Sequence, residues 1–133
     1  MSPLVLLPLR PRFAQAIYRG TKRYELRRRR MRVRSGSIVW IYESAPVGKV
    51  TGSFAVKCVH WGSPAELLSL CSDDPDQAAY PPYLDGVQLG TALEVADPLR
   101  WPRPYALDEI CGRPTRAPQS YCFLREVVPR RLP

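Results

Sequence analysis

Three residues of unlike chemistry stand close together near the start of the chain. They are Lys22, Glu25 and Arg27, within the stretch Gly20-Thr21-Lys22-Arg23-Tyr24-Glu25-Leu26-Arg27. Lysine and arginine supply donors that fit phosphate oxygens, and arginine can do so through two parallel bonds. Glu25 is the one acid among the eleven basic groups of residues 1–34. A carboxylate there can accept from the exocyclic amine of a base, orient its cationic neighbours, or take a proton as a general base. The plainer alternative is an ion pair that shapes a strand, because structural networks use the same residue types. Spacing sets one condition. On a regular strand Glu25 and Arg27 share a face while Lys22 has the opposite parity, so Lys22 joins them only if a turn or bulge follows Gly20.

The charge around this trio is uneven. Residues 1–34 carry a net +10 and the rest of the chain −2, for a total of +8. The excess centres on Arg27, Arg28, Arg29, Arg30, Arg32 and Arg34. A focused basic field attracts polyanions, and nucleic acid is the partner it fits through phosphate neutralisation. A solvated basic face without a specific partner is the alternative. Aromatic rings that could stack on bases are Tyr42, Trp61, Tyr80, Tyr83 and Trp101. Tyr42 shares a strand face with Ile38 and Trp40 and reads equally well as core.

Other chemistries are less well served. The four cysteines, Cys58, Cys71, Cys111 and Cys122, are far apart and include no CxxC pair, and His60 is the one histidine. A zinc site read from sequence needs close ligand pairs, so no metal is expected and the cysteines read as reduced thiols in or near the core. Any histidine-assisted nucleophile would have to use His60, which lies in a strand-like run. There is no Gly-rich phosphate loop, and no cofactor is expected. The longest apolar runs, Leu4 to Leu7 and Ile38 to Tyr42, are far short of a bilayer span. The first residues lack a basic n-region and are broken by Pro3 and Pro8, so no export signal and a cytoplasmic location are expected.

The elements that must position the trio can be drafted from patterning. The 133 residues suit one domain, residues 1–133, with 45% apolar residues for a core. Leu4 to Leu9 reads as a strand. Leu9, Phe13 and Ile17 recur with helical spacing, Pro11 suits a first turn and Gly20 a stop, which predicts a helix over 11–19. Tyr24 to Arg30 reads as a strand, Ser35-Gly36 as a turn, and Ile38 to Tyr42 as a strand apolar on both faces. Val50 to Val59 alternates as a long strand in which Gly52 marks a bulge or bend. Ser63-Pro64-Ala65-Glu66 is a capping box that opens a helix to about Cys71. Asp73 to Gly86 is acidic and proline-broken, with one helical turn after Pro75. Gln88 to Val95 is a further strand, Ala106 to Ile110 a helical turn ended by Gly112, and Ser120 to Leu124 a last strand. Arg130 and Arg131 fall in a basic tail expected to fray. Short strands with few regular helices predict an α+β fold: a small barrel of about five or six mostly antiparallel strands with two or three short helices packed on it.

The stretch Gly20 to Arg27 resembles the GxKxxExR signature of the ASCH domain, a PUA-like barrel family linked to RNA. The resemblance continues through the arginine run, Ile41-Tyr42-Glu43-Ser44-Ala45-Pro46-Val47 and Val50-Thr51-Gly52-Ser53-Phe54. It resumes at Ser63-Pro64-Ala65-Glu66-Leu67 and Ala117-Pro118-Gln119-Ser120-Tyr121. It implies a PUA-like barrel whose cleft binds RNA, with Lys22, Glu25, Arg27, Tyr42, Ser44, Pro46, Gln119 and Ser120 as cleft candidates. Arg28, Arg29, Arg30 and Arg32 would extend the cleft as a phosphate track. Some members resemble ribonucleases, which here would use Lys22, Glu25 and Arg27. Others are amidohydrolases of N4-acetylcytidine, whose threonine nucleophile follows the signature lysine by three positions. Glu25 stands there in this chain, and Thr21 lies on the other side of Lys22. The expectation is an RNA-binding domain, with a metal-independent ribonuclease or, behind it, a modified-nucleoside hydrolase as the enzymatic alternative. An acidic protein partner is a third class.

Overall fold

A computed structural model describes residues 4–124. The tail with Arg130 and Arg131 lies outside the described residues. One six-stranded sheet organises the chain. Its strands are β1 (Leu4–Leu9), β2 (Tyr24–Arg27), β3 (Ile38–Glu43), β4 (Lys49–Gly62), β5 (Gly90–Tyr105) and β6 (Cys122–Phe123). They lie in the order β2-β5-β4-β3-β1-β6, with β1 parallel to β3 and every other pair antiparallel. Helices α1 (Pro11–Arg19), α2 (Pro64–Leu70), α3 (Tyr80–Tyr83) and α4 (Leu107–Cys111) complete a mixed α+β fold. The sheet curls into a half-barrel of the PUA-like kind.

The central strands bury both faces. Val5 and Leu7 of β1, with Val39 and Ile41 of β3, pack under Ile17 of α1 together with Phe54, Val56 and Leu93. Leu6 and Trp40, one residue out of phase, turn to the opposite face and meet Val50, Trp101 and Ile110. This is why Leu4 to Leu7 and Val39 to Ile41 read as apolar without alternation. A third cluster, Leu26, Leu67, Cys71, Tyr80, Leu84 and Ala92, seals α2 and α3 against β2 and β5. The capping box forms as the sequence predicts: Ser63 Oγ accepts from Glu66 N–H and Glu66 Oε1 accepts from Ser63 N–H.

Gly52 sits at a register shift between β4 and its neighbours. A Cβ there would lie 2.2 Å from Leu99 O and 2.6 Å from the Tyr18 hydroxyl, so only glycine lets β5 and α1 approach this closely.

Three expected boundaries are corrected. Strand β5 runs to Tyr105, well past Val95, despite Pro98, Pro102 and Pro104. Beyond residue 94 it has β4 on one side and no β2 on the other, so prolines can face the open edge. The strand expected to reach Arg30 stops at Arg27. There the chain folds round the buried Thr91, whose hydroxyl donates to Arg29 O and accepts from Met31 N–H. Met31 and Val33 then enter the core while Arg28, Arg29, Arg30, Arg32 and Arg34 stay exposed. The last strand is two residues, Cys122–Phe123, rather than five. Among the described residues no helix is long and apolar enough to cross a membrane.

Candidate functional site

The condition on Lys22 is met by the end of α1. Gly20 caps the helix in the left-handed conformation, with φ 84°. The N–H groups of Thr21 and Lys22 both reach back to Ala16 O, at 3.0 and 3.1 Å. The chain therefore turns before β2 begins, and Lys22 comes round to the side of Glu25. The two lie 3.7 Å apart, Lys22 Nζ to Glu25 Oε1. Arg27, two residues along β2, donates from Nε to Glu25 Oε2 at 2.9 Å. Glu25 is thus held between an ammonium and a guanidinium, with 4% of its surface exposed and 2% of that of Lys22.

This buried chain of charges extends further. Lys22 Nζ donates to the Tyr80 hydroxyl at 2.9 Å, and that hydroxyl donates to Asp74 Oδ2 at 2.7 Å. Burial, then the bond to Asp74, pushes the Tyr80 phenol far above its usual range, so it stays a neutral relay between cation and carboxylate. The Lys22 ammonium also lies over the rings of Phe13 and Tyr80, 5.2 and 4.7 Å from their centres. Arg27 Nη2 donates to Pro8 O. Every member is satisfied, which is what lets a lysine and a glutamate stay buried.

The trio lines a cavity of about 410 Å³. One wall is the end of β1 with the start of α1: Pro8, Leu9, Arg10, Arg12 and Phe13. Tyr80 and Tyr83 of α3 continue the lining beside Phe13, and Ser44 and Gln119 border it too. Of the residues expected from sequence, Lys22, Glu25, Arg27, Ser44 and Gln119 therefore meet in one place. Tyr42, Pro46, Ser120, Arg28, Arg29, Arg30 and Arg32 are outside the cavity lining. Tyr42 packs against the Trp40–Trp101 cluster and Pro46 sits in the exposed turn after Ser44. Arg28 donates to the carbonyls of Tyr83 and Asp85, so it ties down the α3 loop. Arg30 lies over the Trp61 ring. Trp101 is buried in the core, not at a rim.

Sequence reasoning missed Arg10, Arg12 and Phe13. Helical spacing placed Phe13 on the core face, and it is there, but at the end where the core opens into the cavity. It also missed the role of the acidic segment after Cys71. Asp76 pairs with Arg12, Asp73 with Arg23 at 3.4 Å, and Asp74 is the buried end of the Tyr80 relay. Part of the basic excess is thus answered within the fold. Among the described residues Arg28, Arg29, Arg30, Arg32 and Arg34 pair with no carboxylate.

The half-barrel thus carries a cation-flanked carboxylate in an open cavity. No protein-family model matches the sequence. A curated relative, the ASCH domain-containing ribonuclease of Zymomonas mobilis subsp. mobilis, is 30% identical over 135 residues, which spans 96% of this chain and 88% of the relative. The crystal structure of ASCH from Zymomonas mobilis aligns with a TM-score of 0.82 at 30% identity, over 92% of this chain and 88% of the other. A tyrosine-to-phenylalanine variant of that protein aligns equally well, at 29% identity over 92% and 91%. The chain belongs to the ASCH domain family.

Proposed function

We propose that the cavity takes one nucleotide of a single-stranded RNA and that Lys22, Glu25 and Arg27 act on its phosphodiester, which makes the protein a ribonuclease. The observation that carries this reading is the Glu25 carboxylate, buried between ammonium and guanidinium yet lining a cavity. Supporting features surround it. Phe13 and Tyr83 offer ring faces for a base. Arg10 and Arg12 border the cavity where a flanking phosphate would lie, and the exposed Arg29, Arg30 and Arg32 continue the basic surface outside it. The name of the Zymomonas relative points the same way.

In the proposed step Glu25 takes the proton of the ribose 2′-hydroxyl as that oxygen bonds to phosphorus. The bond from phosphorus to the 5′-oxygen breaks, and the Lys22 ammonium protonates the departing oxygen. Arg27 stabilises the charge that develops on the phosphoryl oxygens. The products are a 2′,3′-cyclic phosphate and a 5′-hydroxyl. Once the products leave, Glu25 gives its proton to solvent and Lys22 takes one from it, which restores both groups.

A second reading, binding without cleavage, is favoured by the engagement of Lys22, Glu25 and Tyr80 in one satisfied network. Deacylation is poorly served: the Thr21 hydroxyl donates to Ala16 O and lies outside the cavity lining, and the Ser44 hydroxyl donates to Leu9 O.

The test is an anisotropy time course with end-labelled single-stranded RNA in the presence of a chelator, followed by analysis of the product ends. Decay below the starting value with cyclic-phosphate ends is the expected result. A stable rise that salt reverses would reduce the site to a binding module, and no rise would remove RNA altogether. In the binding phase, Arg29→Ala should lower the slope of log affinity against log salt by about 0.7–1, one phosphate contact.

A further inference from the structure

A second cluster of ligating side chains lies on the sheet, away from the cavity. Cys58 and His60 are two residues apart on β4, just past the irregularity that follows Val56. Glu94 of β5 stands directly opposite Cys58 in the register. One ligand atom from each residue, a sulfur, an imidazole nitrogen and a carboxylate oxygen, lies within 4.8 Å of the other two. His60 Nε2 is 3.6 Å from Glu94 Oε1, too far for a hydrogen bond, and it is shielded from solvent without a partner. A buried polar atom left unpaired is costly and calls for an explanation.

Two neighbours bound the cluster. The Tyr24 ring packs edge-on against His60 at 6.0 Å and fixes one side of the imidazole. Lys57 Nζ lies 3.7 Å from Glu94 Oε2 and leaves Oε1 to face His60. His60 also borders a depression with Trp61 and Glu66.

We propose that Cys58, His60 and Glu94 bind a divalent transition-metal ion of borderline softness, for which zinc is the natural occupant. Zinc takes mixed sulfur, nitrogen and oxygen ligands in a tetrahedron, and three protein ligands leave the fourth position to water. Ligand atoms of such a tetrahedron are roughly 3.3–3.8 Å apart, given the usual bond lengths, so small side-chain rotations close this cluster. On binding, the Cys58 thiol releases its proton to solvent and no electron moves. The ion would tie β4 to β5 beside the irregularity in their ladder. Sequence spacing hides the site, because one ligand comes from the neighbouring strand.

The experiment titrates the reduced full chain with cobalt(II) alone, in a reductant that is not a thiol, and follows the thiolate-to-cobalt charge-transfer band. One equivalent should bind. The band should vanish in Cys58→Ser, and affinity should fall at least about tenfold in Glu94→Gln, since even outer-shell changes cost that much. Zinc should displace cobalt and raise the melting temperature of the parent protein with concentration, but not that of Cys58→Ser. The double variant Cys111→Ser with Cys122→Ser should bind as the parent does. A parent protein without the band would overturn the proposal. So would a band that survives Cys58→Ser, or one lost only in the double variant. Glu94→Gln, at a half-buried position, keeps the test decisive where Cys58→Ser folds poorly.

Discussion

Glu25 and Glu43 sit at similar depth, 4% and 2% exposed, on strands of the same sheet, and their neighbours differ in kind. Glu25 touches two full cations, and the group it forms with them lines a cavity. Glu43 lies outside that lining and accepts from the Thr51 hydroxyl at 3.0 Å. Thr51 spends its one proton there, so the Tyr18 hydroxyl must donate to Thr51 across their 2.7 Å contact. The nearest cation, Arg100, is half-exposed and 3.9 Å away. Burial alone therefore does not tell the two carboxylates apart. What separates the two is access from a cavity and the presence of paired cations, and the proposed function rests on both.

The sharpest way to break the comparison is to neutralise each carboxylate in turn. Glu25→Gln keeps the shape and an acceptor for Arg27 but removes the proposed base. RNA cleavage should fall by about a hundredfold or more, the usual worth of a general base, with the fold retained by circular dichroism. Gly52→Ala attacks the other region through the close approach of Leu99 and Tyr18. It should cost about 2 kcal/mol or more, read as a lower denaturant midpoint, while the folded fraction keeps its cleavage rate. Glu43→Gln should cost about 1–2 kcal/mol through the weakened Thr51 bond and leave cleavage per folded molecule unchanged. Loss of cleavage there would erase the distinction drawn between the two sites.

The smallest effect is a pH dependence. Burial raises the Tyr18 phenol from 10.0 to about 12. A raised phenol binds its proton more tightly in the folded state than in the unfolded one. Its contribution to stability is therefore whole below pH 10 and is lost as pH climbs towards 12. Melting temperatures measured across that window should fall less steeply in Tyr18→Phe than in the parent. Equal slopes would mean that burial does not raise the Tyr18 phenol in the folded state.

Much of the fold is legible in the chain because local rules agree there. Pro11 and Gly20 bound α1, the Ser63 capping box opens α2, and the unbroken apolar runs of β1 and β3 are buried on both faces. The continuation of β5 past Val95 is not legible, because proline is judged by its own backbone while its tolerance depends on which edge is open. The arginine run reads as one face. Met31 and Val33 divide it, and Thr91, sixty residues on, sets where it turns.

Reading along the chain is enough to find the residue types of the cavity trio, the helix stop that precedes it and the surplus of positive charge. These are local or additive properties, readable from order and composition. Folding brings Lys22 round to meet Glu25, walls the cavity with Phe13, Tyr80 and Tyr83, and pairs the acidic segment with Arg12 and Arg23. It also brings Glu94 to stand beside Cys58 and His60. Each of these depends on contacts between distant segments, and strand order and register, not spacing along the chain, set which distant residues become neighbours.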